Sequence, residues 1–133
     1  MGFKVDNISF FYGNKKIIDD ITIEMESGRF YGVLGPNGSG KTTFMDLLTS
    51  HRRPVDGSVT YDGKELAAYT KKQLARRVAI VPQDFNINFP FSVADIIMMG
   101  RYPYIPRFAR PAAADVEAVE AVMLQTQVFD FRH

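Results

Sequence analysis

The chain has 133 residues, enough for one small domain or most of one. Hydrophobic residues make up 46% and aromatic residues 13%, a composition that supports a packed core and excludes a disordered chain. The 16 basic and 15 acidic residues give a formal net charge of +1, which argues against nucleic acid as a partner and against a polybasic membrane anchor.

Cysteine and long apolar runs are both missing from the sequence. Without cysteine, the chain can form no disulfide, thiolate zinc site or cysteine nucleophile. No apolar run approaches the roughly 20 residues of a membrane helix, and the N-terminus lacks the charged-then-apolar layout of a signal peptide. We therefore expect a soluble cytoplasmic chain.

The beginning of the chain has the pattern of β-strands. The segment "FKVDNISFFYG" (residues 3–13) is rich in β-forming residues, and "KIIDDITIEME" (residues 16–26) alternates polar and apolar side chains. A Gly-Asn pair between them suggests a tight turn, so the two segments predict an antiparallel pair. The short apolar run "RFYGVLG" (residues 29–35) is typical of a strand that is buried on both faces.

The middle of the chain predicts two helices and two strands. The segment "KTTFMDLLTS" (residues 41–50) has a helical pattern. Gly-containing turns at residues 56–57 and 62–63 should flank a short strand. The segment "TKKQLARR" (residues 70–77) predicts a short basic helix, and "RVAIVPQ" (residues 77–83) predicts another buried strand.

The remainder of the chain turns helical. An irregular linker (residues 84–91) leads to "SVADIIMMG" (residues 92–100), a helix that starts with a capping-box variant. A loop with three prolines (residues 101–111) precedes a long helix (residues 112–126). The stripe of that helix expected to face inward consists of Val116, Val119 and Met123. The chain thus predicts an α/β core followed by the start of a helical subdomain.

One motif carries specific chemistry. Residues 35–42, "GPNGSGKT", match G-x-x-x-x-G-K-[ST] in full, and they lie between a strand pattern and a helix pattern, as a phosphate-binding loop requires. The residues expected to bind a nucleoside triphosphate are Gly35, Pro36, Asn37, Gly38, Ser39, Gly40, Lys41 and Thr42. The alternative, a chance Gly-rich turn, is disfavoured by that context.

Each residue type in the loop suits a dense anion. Glycines permit the unusual dihedrals and the close backbone approach that let N–H groups surround phosphates. The following helix directs its positive end at them. Lys41 adds a charge for the β- and γ-phosphates, and the Thr42 hydroxyl suits Mg²⁺, which prefers oxygen ligands. Such a loop does not select a reaction, because several classes of ATPase, GTPase and kinase share it.

Three ordered motifs together resemble an ATP-binding cassette (ABC) ATPase subunit. They are "FFYG", the loop with its second threonine, "GPNGSGKTT", and "VAIVPQ". The resemblance covers essentially the whole chain and implies a P-loop NTPase core with an N-terminal antiparallel β subdomain over residues 1–85. It also implies the beginning of a helical subdomain over residues 86–133.

The resemblance assigns roles to three further residues. Tyr12 matches the aromatic that stacks on adenine, Thr43 matches a position that commonly contacts the α-phosphate, and Gln83 matches the glutamine that approaches Mg²⁺ and the attacking water. Lys41 and Gln83 would then be the catalytic residues, and Thr42 and Gln83 would hold the metal. Without the loop, the residue patterns would favour a core tyrosine at a strand end for Tyr12 and an ordinary polar strand-end residue for Gln83.

The segment "SVADIIMMGRYPYIPRF" resembles importers of iron–siderophore, haem or cobalamin. This implies transmembrane permease subunits, a second ATPase subunit and, indirectly, a substrate-binding protein as partners, at the cytoplasmic face of the membrane. An exposed patch for the permease would comprise Tyr102, Tyr104, Ile105 and Phe108. On residue patterns alone, the same segment could be a surface loop stiffened by proline.

Other motifs of the family are missing. We find no LSGGQ-type signature, no strand ending in Asp-Glu (Walker B) and no switch histidine, since His51 and His133 lie in other contexts. We therefore interpret the chain as the N-terminal part of an ABC subunit. We expect it alone to bind nucleotide weakly, to hydrolyse it negligibly and to self-associate through an unpaired sheet edge.

Alternatives are a non-transport ABC ATPase, for translation or DNA repair, and a nucleotide-binding fragment with no activity. A nucleotide kinase is disfavoured.

Overall fold

The computed structural model describes residues 2–83 and 89–132. The chain divides into two compact units, Met1–Ile80 and Val81–His133. The first unit contains a β-sheet with helices packed on it, and the second contains helices. Part of the expected linker, residues 84–88, lies outside the described residues.

The sheet of the first unit is antiparallel and has four strands. These are β1 (Gly2–Tyr12), β2 (Lys15–Glu26), β3 (Asp56–Tyr61) and β4 (Lys64–Glu65), in the order β2-β1-β3-β4. The predicted pair of long strands and the turn between them are confirmed. That turn requires Gly13, whose φ of 56° lies in the left-handed region.

One of the two predicted Gly turns is wrong. Asp62-Gly63 does join β3 to β4, but Asp56 and Gly57 belong to β3 itself. Gly57 has a φ of 77°, and a Cβ there would lie 2.3 Å from two carbonyl oxygens of β1. The glycine is therefore present because two backbones approach closely at an irregular point of the β1–β3 register, and not because the chain reverses.

The helices of the first unit are α1 (Lys41–Leu48) and α2 (Lys71–Ala75), with a 3₁₀ helix at Leu66–Ala68. Both helices were predicted. Thr70 caps α2 in a capping box with Gln73, and Leu74 is its buried residue. The core of the unit consists of Val5, Ile8, Phe10, Ile18, Phe44, Leu47, Leu48, Val59, Leu66 and Leu74. It therefore joins the sheet, α1, the 3₁₀ helix and α2.

The two apolar runs predicted as buried strands contain no regular structure. In residues 29–35, Phe30 and Leu34 are almost fully exposed, and in residues 77–83 so is Val81. The expectation was wrong for the described structure because a run of β-forming residues becomes a strand only beside a strand that satisfies its N–H and C=O groups. Neither run pairs with the four-stranded sheet.

The second unit contains α3 (Val93–Met99), α4 (Ala113–Gln125) and a 3₁₀ helix at Phe129–Phe131. The predicted capping box of α3 is confirmed. The Ser92 hydroxyl accepts a bond from the Asp95 N–H, and the Asp95 carboxylate accepts bonds from the Ser92 hydroxyl and N–H. The two bonds that the carboxylate accepts lower the pKa of Asp95, and the one from the Ser92 hydroxyl has the larger effect.

Asp115 organises the start of α4. Its carboxylate accepts hydrogen bonds from the Ala112 N–H at 3.0 Å and from the Arg101 Nε–H at 2.9 Å. Both bonds lower the pKa of Asp115, and the bond from Ala112 has the larger effect. Asp115 is buried, whereas Val116 is 43% exposed. The predicted inward stripe is thus confirmed at Val119 and Met123 and wrong at Val116, because the carboxylate that fixes the cap takes the inward position.

Truncating a core residue of α1 should destabilise the unit that carries the phosphate loop. Leu47 is 1% exposed, so Leu47→Ala should lower the free energy of unfolding by about 2–5 kcal/mol, since it leaves a cavity in the core. Urea denaturation followed by circular dichroism measures this. Met45→Ala, on the exposed side of the same helix, is the matched control and should change stability by less than about 1 kcal/mol. Equal losses in the two variants would contradict this account of the core.

Candidate nucleotide-binding site

The G-x-x-x-x-G-K-[ST] motif forms an exposed loop that ends at the first residue of α1. The Ser39 N–H donates to the Pro36 carbonyl at 3.2 Å, closing a turn. Gly38 and Gly40 have φ values of 78° and 94°, in the region that favours glycine. The motif is therefore held in a turn that other residue types would strain.

Lys41, the first residue of α1, reaches back over the loop. Its Nζ donates to the carbonyl oxygens of Gly35 and Pro36, each at 2.8 Å. These two bonds draw the beginning of the loop towards its end, and they place a positive charge among the backbone groups of the motif. A charge in that position attracts an anion to the loop.

The two threonines after Lys41 have opposite environments. Thr42 is exposed in the first turn of α1, so its hydroxyl is accessible. Thr43 is 7% exposed and lies on the buried side with Phe44. The structure therefore presents Thr42 beside the loop and turns Thr43 towards the interior, and the predicted contact between Thr43 and the α-phosphate stays a prediction.

Gly40 connects the loop to the β1–β2 hairpin. A Cβ on this residue would lie 3.1–3.2 Å from side-chain atoms of Ile17 and Ile18 and from the Ile17 carbonyl oxygen. The end of the loop thus rests directly on β2. Ile18 pairs with Phe10 of β1, and Lys15 pairs with Tyr12. The hairpin therefore carries the predicted adenine-stacking residue at a fixed place relative to the loop.

Tyr12, at the end of β1, is 44% exposed. Its ring meets Phe10 edge-on, with centroids 5.1 Å apart and an interplanar angle of 84°. The guanidinium carbon of Arg52 lies 4.9 Å from the centroid of Tyr12 and 5.8 Å from that of Phe10. Sequence reasoning did not identify Arg52, because no motif contains it and only the fold brings it to β1.

Gln83 is the last residue of the second apolar run and is exposed. It belongs to the second unit, whereas the loop belongs to the first. Its predicted role beside Mg²⁺ and the attacking water stays a prediction. Among the residues that the structure describes, no group of three or more His, Cys, Asp or Glu side chains could hold a metal ion.

A cavity of about 650 Å³ lies in the first unit beyond the C-terminal end of α1. It is bordered by residues that follow α1, among them His51 and Arg53, and by α2 with Leu74. None of the residues predicted to bind nucleotide lines it. The candidate site is therefore the open loop surface at the other end of α1.

The patch predicted to meet a partner is only partly exposed. Tyr102, Tyr104 and Phe108 are 59%, 45% and 92% exposed, but Ile105 is 9% exposed. The expectation was wrong for Ile105, which is buried in its unit. Arg101 lies 4.4 Å from the centroid of Tyr104 while it pairs with Asp115, so this loop is tied to α4.

A family model described as ABC transporter matches residues 18–133, which is most of the chain and includes the whole phosphate loop. The chain belongs to the ABC transporter family. The resemblance seen in the three sequence motifs is thereby confirmed.

Curated relatives of the chain include ATP-binding proteins of bacterial transporters. An uncharacterised ABC transporter ATP-binding protein of Bacillus subtilis is 40% identical over 96% of the chain and 29% of its own length. A hemin import ATP-binding protein of Thermobifida fusca is 38% identical over 84% of the chain and 37% of its length. The ferric enterobactin transport ATP-binding protein of Escherichia coli is 32% identical over 92% and 45%. The chain thus spans less than half the length of these relatives.

A solved structure shares the fold. It is an inward-facing conformation of a metal-chelate type ABC transporter, which superposes with a TM-score of 0.80 at 28% identity. The match covers 98% of this chain and 46% of the other. The antiparallel sheet, the loop and the helices thus match part of an ABC ATPase, which confirms the fold class predicted from the sequence. Within residues 2–83 and 89–132, no helix is long and apolar enough to cross a membrane.

Replacing Gly40 should distort the loop. Gly40→Ala would force a side chain into the left-handed region and against the Ile17 carbonyl, so we expect a loss of about 1–3 kcal/mol in stability and weaker binding of anions at the loop. Thermal unfolding and phosphate titration measure both effects. Gly32→Ala is the control, because a Cβ at Gly32 meets no atom within 4 Å. A stable Gly40→Ala variant with unchanged binding would contradict this description of the loop.

Proposed function

We propose that the chain binds MgATP at residues 35–43 and is the ATP-binding part of an ABC importer for a metal chelate. The observation that carries this proposal is the loop itself. Its glycine-dependent turn, the Lys41 ammonium held over it and the start of α1 together form a site for phosphates. Membership of the ABC transporter family supports ATP as the nucleotide.

The phosphates would be held by charge and by backbone donors. Free N–H groups at the start of a helix and in a turn attract anions, and Lys41 would exchange its carbonyl partners for the β- and γ-phosphates. The other contacts come from the remainder of the loop, Gly35, Pro36, Asn37, Gly38, Ser39, Gly40, Thr42 and Thr43. Tyr12 would stack on adenine, since its ring is partly exposed at the end of the hairpin that the loop rests on.

The donors present fit Mg²⁺. This ion is usually bound by one or two protein oxygens together with phosphate oxygens, and the exposed Thr42 hydroxyl provides such an oxygen beside the loop. Gln83 is the proposed second ligand and the residue that orients the attacking water, because a neutral amide can both accept and donate hydrogen bonds. When bound, Mg²⁺ would neutralise charge that develops on the phosphates.

The proposed solute class rests on similarity. Two of the relatives are named for hemin import and ferric enterobactin transport, and the solved structure is described as a transporter of the metal-chelate type. We propose that the chain works with transmembrane permease subunits, a second ATPase subunit and, indirectly, a substrate-binding protein, at the cytoplasmic face of the membrane. Tyr102, Tyr104 and Phe108 are the exposed aromatics that would meet the permease.

Nucleotide binding should depend on Lys41. Isothermal titration of the 133-residue chain with MgATP should show binding that Lys41→Ala weakens about 10- to 100-fold, because the charged partner of the phosphates is lost. Lys4→Ala removes the same charge from an exposed position on β1 and should bind as the wild type does. Absence of binding, or equal binding by Lys41→Ala, would contradict the proposed site. We expect negligible hydrolysis by this chain alone, so Mg²⁺-dependent phosphate release that Lys41→Ala abolishes would refute that expectation.

Import of a metal chelate can be tested in the cells that carry the gene. Disrupting the gene should reduce uptake of labelled haem or a ferric siderophore, while uptake of an amino acid should stay unchanged. The wild-type gene should restore uptake and the Lys41→Ala gene should not, because the phosphate site would be lost. Normal uptake of every metal chelate in the disrupted strain would exclude this solute class.

A further inference from the structure

The side chain of Arg52 covers one part of the predicted adenine-stacking residue. Its guanidinium carbon lies within the range of a cation–π contact with Tyr12 (4.9 Å) and with Phe10 (5.8 Å). The same Phe10 meets Tyr12 edge-on and is itself buried. Two neighbours therefore restrict the Tyr12 ring: the Phe10 ring through the T-shaped contact and the Arg52 guanidinium through the cation–π contact.

Arg52 is itself anchored. Its Nε donates to the Asp46 carboxylate at 3.2 Å, and its backbone N–H donates to the Asp46 carbonyl at 3.1 Å. Asp46 belongs to α1, the helix that begins at the phosphate loop. The chain of contacts thus runs from α1 through Asp46 and Arg52 to the ring of Tyr12.

The position of Tyr12 suits a base whose phosphates lie in the loop. Gly40 rests against Ile17 and Ile18 of β2, and the residue paired with Tyr12 is Lys15, only two positions before Ile17. Two residues of a strand span about 7 Å, a distance that the ribose and α-phosphate of a nucleotide can bridge. Tyr12 remains 44% exposed although Arg52 lies on it, so ring surface is left for a ligand.

We propose that Arg52 is a positioning residue for adenine: held by Asp46, it fixes the Tyr12 ring so that the ring's free face stacks on the base. This inference rests on the proposed binding of ATP. An unrestrained tyrosine would lose rotational freedom when a base stacks on it, and that loss weakens binding. Because Phe10 and Arg52 already restrict the ring before a ligand binds, less rotational freedom is lost on stacking. Arg52 should therefore change the affinity only for ligands that carry a base.

The test compares a ligand with a base and a ligand without one. Isothermal titration measures the Kd of the 133-residue chain for MgATP and for inorganic tripolyphosphate with Mg²⁺. Arg52→Ala should raise the Kd for MgATP about two- to fivefold, the range typical of an exposed cation–π contact, and leave the Kd for tripolyphosphate unchanged. Arg53→Ala is the matched control, because it removes an equal charge from the next residue, which lines the cavity away from the loop. It should change neither Kd.

A double-mutant cycle tests whether Arg52 acts through Tyr12. In a Tyr12→Ala background, Arg52→Ala should have no further effect on MgATP binding. Asp46→Asn, which weakens the anchor and keeps the side-chain volume, should give a smaller loss than Arg52→Ala, in the same ligand-selective way. This second variant also serves if Arg52→Ala fails to fold, which its thermal unfolding curve would show.

Several results would overturn the inference. A rise in MgATP affinity in Arg52→Ala would mean that the guanidinium occupies the face the base needs. An equal loss for both ligands would mean that Arg52 acts on the phosphate loop, and an effect that persists without Tyr12 would mean that it acts elsewhere. If the wild type binds MgATP, and both Arg52→Ala and Asp46→Asn bind it as tightly as the wild type does, only this inference fails. If the wild type does not bind MgATP, the proposed function fails with it.

Discussion

The contact between Gly40 and the β1–β2 hairpin is the constraint on which the candidate site depends. Gly40 adopts a left-handed φ of 94° and lies against Ile17 and Ile18, so the loop turns into α1 directly on the surface of β2. The helix that follows buries Phe44 and Leu47 against the sheet. One backbone conformation, available at low cost only to glycine, thereby fixes the loop relative to the core.

Charged side chains around the loop are held in place by short-range bonds, and the overall charge of the chain contributes little to the electrostatic potential there. Lys41 is bound by two carbonyl oxygens of the motif, and Arg52 by the carboxylate and carbonyl of Asp46. With a net charge of +1, the chain generates no broad positive field. The loop thus fixes the position of the Lys41 ammonium, and Asp46 of α1 fixes that of the Arg52 guanidinium. In the proposed site the first cation meets the phosphates, and the second holds the ring that stacks on the base.

Hydrophobic pattern alone did not decide which segments are buried. Ile18 and Leu47 are almost fully buried, while Phe30, Leu34 and Val81, which are equally apolar, are almost fully exposed. The difference lies in backbone partners: β2 pairs with β1 along most of its length, and the exposed runs pair with no strand of the described sheet. An apolar segment without hydrogen-bonded neighbours cannot enter a core without burying unsatisfied N–H and C=O groups.

The sequence by itself predicted the features that depend on residues close together in the chain. The hairpin, α1, the capping box at Ser92 and the phosphate motif each follow from dihedral preferences or hydrogen bonds between residues close in the chain, and three ordered motifs sufficed to indicate the family. Only the tertiary structure placed Gly57 inside a strand, buried Ile105 and brought Arg52 onto Tyr12. The first and last of these outcomes depend on segments far apart in sequence, 50 positions for Gly57 and Asn7 and 40 for Arg52 and Tyr12. No local pattern contains that information.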